Sequence, residues 1–202
     1  MIVVGLTGSI AMGKTETAKL FRARGIPVFD SDEAVHELYA SGGSAVEPVR
    51  RLAPVAVENG AVNREKLSSL IRSDATLLAK LEAVVHPLVK AKQRDFLAAA
   101  KRTGASIVVI DIPLLFETSR DADVDFVVVV SAPPDVQRRR ALARPGMTAE
   151  KLDFILSRQM ADQEKRARAD YVIDTSVSIT DTAKQVDRLI LELENRHSGA
   201  CT

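Results

Sequence analysis

Gly8-Ser9-Ile10-Ala11-Met12-Gly13-Lys14-Thr15 is the stretch that decides the fold. It has the form G-x-x-x-x-G-K-[ST], and its neighbours supply the context. Before it, Ile2-Val3-Val4-Gly5-Leu6 is a short apolar, β-branched run that reads as a buried strand. After it, Glu16 to Arg24 reads as a helix with Ala18, Leu20 and Phe21 on a core face. Gly25 can cap that helix and Pro27 blocks its continuation. Strand, glycine-bearing loop and helix form the setting in which this pattern cradles the phosphates of a nucleoside triphosphate. Successive backbone N–H groups curl around phosphate oxygens, glycines let the backbone come close, and the helix adds its positive dipole end. The candidate loop is Gly8, Ala11, Met12, Gly13, Lys14, Thr15 and Glu16. In it Lys14 bridges the β- and γ-phosphates and the Thr15 hydroxyl ligates Mg²⁺.

At 202 residues the chain is expected to be a single domain, 1–202, in which one core carries insertions. A net charge of +1 argues against a broad nucleic-acid or membrane surface, while leaving room for a local basic patch. The one cysteine, Cys201, lies in a polar tail and has no partner within the chain, which fits a reducing cytoplasm. The first apolar run lacks a basic start and leads straight into the loop, so it reads as a core strand rather than a leader.

Further strands are expected at Ile26–Phe29, Ser106–Ile110, Phe126–Val130 and Tyr171–Ile173, which with the first makes five. Apolar runs without alternation point to a parallel sheet covered on both faces. The stretch 33–103 is too long for a simple crossover and reads as a helical insertion. Its pieces are Glu33–Tyr39, Val46–Leu52, Arg64–Arg72, Ala75–Val85 and Pro87–Arg102, with Asn59-Gly60 as punctuation. Asn63 suits an N-cap and Pro87 a first helical turn. A second insertion, 135–168, is helical and basic, and a last helix runs from about Asp181 to Asn195.

In open α/β sheets ligands gather at the carboxyl ends of the strands. Asp30-Ser31-Asp32 follows the second strand, and His36 shares a helical face with Asp32. Asp32 has three readings: acceptor of the proton of an attacking hydroxyl, water-mediated partner of Mg²⁺, or member of a helix cap, since Asp30-x-x-Glu33 resembles a capping box. Asp111 ends the third strand, where a magnesium carboxylate often stands. In Gln137-Arg138-Arg139-Arg140-Ala141-Leu142-Ala143-Arg144, Gln137, Arg140 and Arg144 fall on one face of a helix. Like charges four apart repel unless a polyanion lies between them. Arg138 and Arg139 read as solvated, with Glu150, Asp153 and Asp162 nearby. Phe96, Phe154 and Tyr171 read as core. The Asn-Lys-x-Asp element of GTPases is missing, and Ser41-Gly42-Gly43-Ser44 lies too early for a transporter-type ATPase. A core with two flaps suits a small-molecule kinase. Another nucleoside or nucleotide kinase, or an ATP-dependent switch, would use the same core.

Taken together, these motifs resemble the dephospho-CoA kinase family along nearly the whole chain. Gly5-Leu6-Thr7-Gly8-Ser9-Ile10 with Gly13-Lys14-Thr15 looks like its opening, and Asp30-x-Asp32 with His36 and Leu38 like its acidic motif. Leu81-Glu82 and His86-Pro87 match its leucine-histidine-proline element. Ile112-Pro113-Leu114-Leu115-Phe116-Glu117 is similar to its most specific motif. Gln137, Arg140 and Arg144 fit its lid, and Gln159-Met160 with Ala169-Asp170-Tyr171-Val172-Ile173 fit its closing segments.

The resemblance implies a three-layer P-loop kinase core with a five-stranded parallel sheet, an acceptor-binding insertion and a lid. It implies transfer of the γ-phosphate of ATP to the ribose 3′-hydroxyl of dephospho-CoA, with Mg²⁺, in the cytoplasm. No nucleic acid, membrane or obligate protein partner is implied. Asp32, Lys14 and Arg140 take the catalytic positions, and Arg144 joins the ATP loop. Asp32, His36, His86, Pro113, Leu114, Leu115 and Glu117 take the acceptor side; Thr15, from the loop pattern, and Asp111, from the end of its strand, are the metal candidates. His86 also reads as a cap or core residue, and Pro113 to Phe116 as packing. The chain departs from the family at Ser9, Ala11, Met12 and Ile155. Ala11 is the awkward one, because a side chain opposes positive φ.

Overall fold

The structure, a computed structural model, describes residues 1–199; Cys201 lies outside them. Five strands form one sheet: β1 Ile2–Thr7, β2 Val28–Asp30, β5 Ile107–Asp111, β6 Phe126–Ser131 and β7 Tyr171–Asp174. Their order is β2-β5-β1-β6-β7 and the sheet is parallel. The central strands are apolar on both faces, as the unbroken Val/Ile runs require: β5 and β6 are buried at every position. The β1–β5 register pairs Ile2 with Ile107 and Leu6 with Asp111. Asp111 therefore sits at the carboxyl edge, where the chain leaves β1 for the glycine loop.

The chain divides into two compact units, Met1–Phe29 with the chain from Ala100 on, and Asp30–Ala99. In the first, α1 Lys14–Arg22 and α9 Ile179–Gly199 belong to the main core. Ala18 and Phe21 of α1 join Val186, Leu189 and Leu193 of α9 over Val4, Leu6, Val128 and Val130 of the sheet. Arg24, just past α1, pairs with Asp187 of α9. The basic insertion forms three helices, α6 Pro134–Leu142, α7 Ala149–Leu156 and α8 Asp162–Ala167.

The second unit lies within the stretch 33–103 except for its first three residues, and holds α2 Ser31–Tyr39, α3 Val46–Leu52, α4 Arg64–Ser73 and most of α5 Ala75–Arg102. Asn63 caps α4, accepting from the N–H groups of Glu65 and Lys66. Its core gathers Val46, Val49, Val62, Leu67, Leu77 and Leu81. Asn59-Gly60 punctuates the stretch as expected, but the all-helical reading misses a hairpin and the break at Pro87 fails. Asn59-Gly60 is the turn of a hairpin, β3 Val57–Glu58 with β4 Ala61–Val62, and both turn residues have positive φ, as a tight hairpin demands. Pro87 opens no helix: α5 runs through it unbroken. Leu77, Leu81, Val85, Val89 and Gln93 recur every fourth residue and are all buried, and this stripe outweighs the hydrogen bond that proline removes. His86 is consequently exposed in mid-helix, neither cap nor core. Among the described residues no helix is long and apolar enough to cross a membrane.

Candidate active site

The loop between β1 and α1 is shaped by what surrounds it. A Cβ on Gly8 would stand 2.4 Å from Val130 Cγ2 and 2.8 Å from the Val130 carbonyl oxygen, so only glycine lets the loop lie on β6. Gly13, at φ 89°, precedes α1 with no side-chain cap, which leaves the first N–H groups of the helix for an anion. Ala11 does take the left-handed conformation, at φ 62°, a strain of about 1 kcal/mol or more for a residue with a Cβ. Its methyl is buried against Ala141 of α6 and Leu152 of α7. Packing thus opposes the strain, and it joins the loop to the basic insertion.

Polar contacts reinforce that joint. Gln159 Oε1 accepts from the Ile10 N–H at 3.0 Å, and Gln137 Nε2 donates to the Ile10 carbonyl at 2.9 Å. The Ala132 N–H donates to Met12 Sδ at 3.1 Å. Arg140 donates through Nη1 to Thr175 Oγ1 at 3.2 Å and through Nη2 to the Thr175 carbonyl at 2.7 Å. The Thr175 hydroxyl donates to the Met12 carbonyl at 2.8 Å.

Lys14 forms an ion pair with Asp111, whose carboxylate is 2% exposed. The ammonium that would meet phosphates therefore rests against the acid at the end of β5. Thr15 and Glu16 are exposed in the first turn of α1. Thr15 offers a hydroxyl and Asp111 a carboxylate; among the described residues no three His, Cys, Asp or Glu side chains gather as a metal cluster.

Arg144 is not on a helical face with Arg140. Helix α6 ends at Leu142, and Arg144 stands exposed in the turn that follows. Pro145 disfavours helix for the residue before it, and Gly146 takes φ 71°. Arg138 pairs with Asp153 across to α7. Phe154, expected in the core, is 57% exposed, with the Arg158 guanidinium 4.3 Å above its ring.

Beyond β5, Leu115 and Phe116 are buried, whereas Leu114 is exposed and Pro113 half-buried. Leu115, with no surface of its own, serves packing rather than a bound molecule. Glu117 is engaged from the far end of the basic insertion. Its Oε1 accepts from the Met160 N–H at 2.8 Å and lies 2.8 Å from the ammonium of Lys165, a fully buried lysine of α8. The contact is an ion pair: Lys165 Nζ and Glu117 Oε2 are both buried, and neither meets the geometry of a hydrogen bond. Burial pushes the Glu117 carboxyl up, but Lys165 and the backbone N–H groups of Glu117 and Met160 together hold it below the usual glutamate range.

In the second unit, the Asp30 side chain caps α2, accepting from the N–H groups of Asp32 and Glu33 at 2.9 and 3.1 Å. The cap is thus Asp30, and the Asp32 carboxylate is exposed on the first turn with His36 one turn on. Thr175 and Lys165 escaped the sequence reading. Thr175 had a signal, a hydroxyl directly after a strand's carboxyl end, but Lys165 sits among exposed charges and looks like one of them.

A model of the dephospho-CoA kinase family matches residues 2–181. Dephospho-CoA kinase of Brucella melitensis is 52% identical over 200 residues, covering 99% of each chain. That of Mesorhizobium japonicum is 52% identical, covering 98% of this chain and 100% of the relative. A crystal structure from Thermus thermophilus superposes with a TM-score of 0.79 at 35% identity, covering 95% of this chain and 97% of that one. Dephospho-CoA kinase from Campylobacter jejuni shares the fold, with a TM-score of 0.67 at 19% identity over 95% and 96% of the two chains. With a family model matching residues 2–181 and relatives 52% identical along nearly their whole length, the chain belongs to the dephospho-CoA kinase family.

Proposed function

We propose how this chain's residues divide the work of its family's reaction, transfer of the ATP γ-phosphate to the 3′-hydroxyl of dephospho-CoA, the last step of CoA biosynthesis. The observation that carries the assignment is the loop itself: an uncapped helix start, a glycine pressed on β6, and Lys14 beside Asp111. The loop N–H groups from Gly8 to Glu16 hold the triphosphate, and Lys14 leaves Asp111 for the β- and γ-phosphates. Arg140 stabilises the charge that spreads over the transferring group, and Arg144 comes to the nucleotide from its turn. Asp32, freed from capping by Asp30, accepts the proton of the acceptor hydroxyl. His36, His86, Pro113 and Leu114 contribute to the acceptor surface, and Glu117 shapes it through its hold on Met160.

Thr15 and Asp111 would hold Mg²⁺. One hydroxyl and one carboxylate are the sparse oxygen set that this ion uses when phosphates and waters supply the rest. When bound, it supplies neutralisation of the phosphate charge. The enzyme works in the cytoplasm on ATP and dephospho-CoA, without nucleic acid, membrane or an obligate protein partner.

The test is a coupled ADP-release assay with ATP and Mg²⁺, comparing dephospho-CoA, AMP, adenosine and no acceptor, in wild type and Asp32→Ala. Release dependent on dephospho-CoA, with CoA as product and a fall of about 10²-fold or more in the variant, is the expected result. Equal release with every acceptor would sink the assignment.

A further inference from the structure

We infer that Thr175 is a positioning residue for nucleotide binding, its one hydroxyl tying Arg140 of α6 to the peptide unit between Met12 and Gly13. The inference rests on the reading of the loop and Arg140 as the ATP site. Thr175 follows β7 directly and is buried. Its hydroxyl has one proton to give and two carbonyls within reach, Met12 at 2.8 Å and Ser131 at 3.2 Å. Met12 is the nearer acceptor, and the Ser131 carbonyl is already engaged by the Thr175 N–H at 2.9 Å, so the geometry favours the proton on the Met12 side. The same oxygen accepts from Arg140 Nη1, and the Thr175 carbonyl takes Nη2. A chain results: guanidinium to hydroxyl to loop carbonyl, each link polarising the next.

The far side of that carbonyl gives the chain its purpose. In a trans peptide the C=O and the following N–H point to opposite sides. Holding the Met12 carbonyl toward Thr175 therefore turns the Gly13 N–H away from Thr175, fixing one of the loop donors that meet phosphate. Gly13 is built for this neighbour: a Cβ there would lie 3.0–3.1 Å from three Thr175 side-chain atoms. Gln137 and Gln159 hold Ile10 on both its N–H and its carbonyl, so the loop has no slack with which to replace a lost contact at Met12. One side chain thus sets both a backbone donor and the direction of the arginine.

Thr175→Val keeps the shape and removes the hydroxyl, and Thr175→Ser restores it. Binding of ATP with Mg²⁺ is measured by titration calorimetry on the full chain, alongside KM for ATP, KM for dephospho-CoA and thermal melting. We expect Thr175→Val to raise Kd and KM for ATP roughly tenfold, the loss of one hydrogen bond to a charged group. KM for dephospho-CoA should stay within about twofold, and Thr175→Ser should recover ATP affinity. Adding Arg140→Met to Thr175→Val should cost less than the sum of the two, because both act through one joint. Unchanged ATP affinity in Thr175→Val overturns the inference even if melting falls. So does a Thr175→Ser protein as impaired as the valine variant, or full additivity with Arg140→Met. Wild type that makes no CoA overturns the functional reading, whereas wild-type turnover with an unaffected valine variant overturns this inference alone.

Discussion

Replacing Lys165 by methionine tests the tie between α8 and the segment after β5. The two stems are alike in length, so the substitution opens little space and mainly removes a charge. The lysine side chain is fully buried, and Glu117 keeps 15% of its side-chain surface. Removing one partner of a buried ion pair costs about 3–5 kcal/mol, because the other charge is left in low dielectric. Glu117 retains the Met160 N–H and some water, so the expected cost falls to about 2–4 kcal/mol. For a chain of this length each kcal/mol moves Tm by about 2–4 °C, which predicts a drop of roughly 5–15 °C. Urea unfolding at pH 7 gives the same quantity from midpoints. Lys165→Met combined with Glu117→Gln leaves a neutral acceptor for Met160 and no stranded charge. That double variant should return to within about 1 kcal/mol of wild type. A single variant as stable as wild type, or a double variant no better than the single, would refute the reasoning.

Three further outcomes follow from the same geometry. Gly8→Ala drives a methyl into the Val130 backbone carbonyl, which cannot yield, so calorimetry should find ATP binding lost and stability lower by about 1–3 kcal/mol; wild-type affinity would contradict the steric argument. The Glu117 carboxyl lies below its ordinary value of 4.5, so its contribution to stability is complete above that pH and is lost as pH falls through the folded value. Urea midpoints from pH 7 down to about 3.5 should therefore fall more steeply for wild type than for Lys165→Met, which lacks the main cause of the lowering; equal slopes would count against it. Pro87→Ala restores a helical N–H at an exposed position of α5 and should raise stability by about 1–2 kcal/mol, less than the full proline penalty because proline also restrains the unfolded chain; a loss on thermal melting would be the contrary result.

The readings that hold are those in which local pattern and tertiary demand agree. Val127 to Val130 had to be a covered strand, since nothing else buries four β-branched side chains in a row. The glycine loop is legible because its spacing encodes backbone shape. The readings that fail do so where one rule was extended past its local warrant. Pairing Arg140 with Arg144 assumed a helix that Pro145 had already ended. The break before Pro87 took proline as the first turn of a new helix, a signal that a buried stripe from Leu77 to Gln93 overrules. The hairpin at Asn59-Gly60 has strands of two residues, too short for alternation to show. Lys165 lay beyond sequence reasoning, since only the fold brings Glu117 to it.

The pairing of Lys14 with Asp111 also bears on what the resting enzyme ignores. A singly charged anion such as chloride or a small carboxylate can also be drawn to a lysine at a helix start. A bare lysine above a ring of N–H groups would be a general trap for these anions. Here the lysine already has an acid for a neighbour. A newcomer must outbid a pre-placed carboxylate that has nearly no water to lose, and a singly charged ion has little to bid with. A polyphosphate can, because it engages many donors at once. On the proposed reading of Lys14 as the phosphate lysine, the acid at the end of β5 would act as a threshold that a polyphosphate crosses more readily than a singly charged anion.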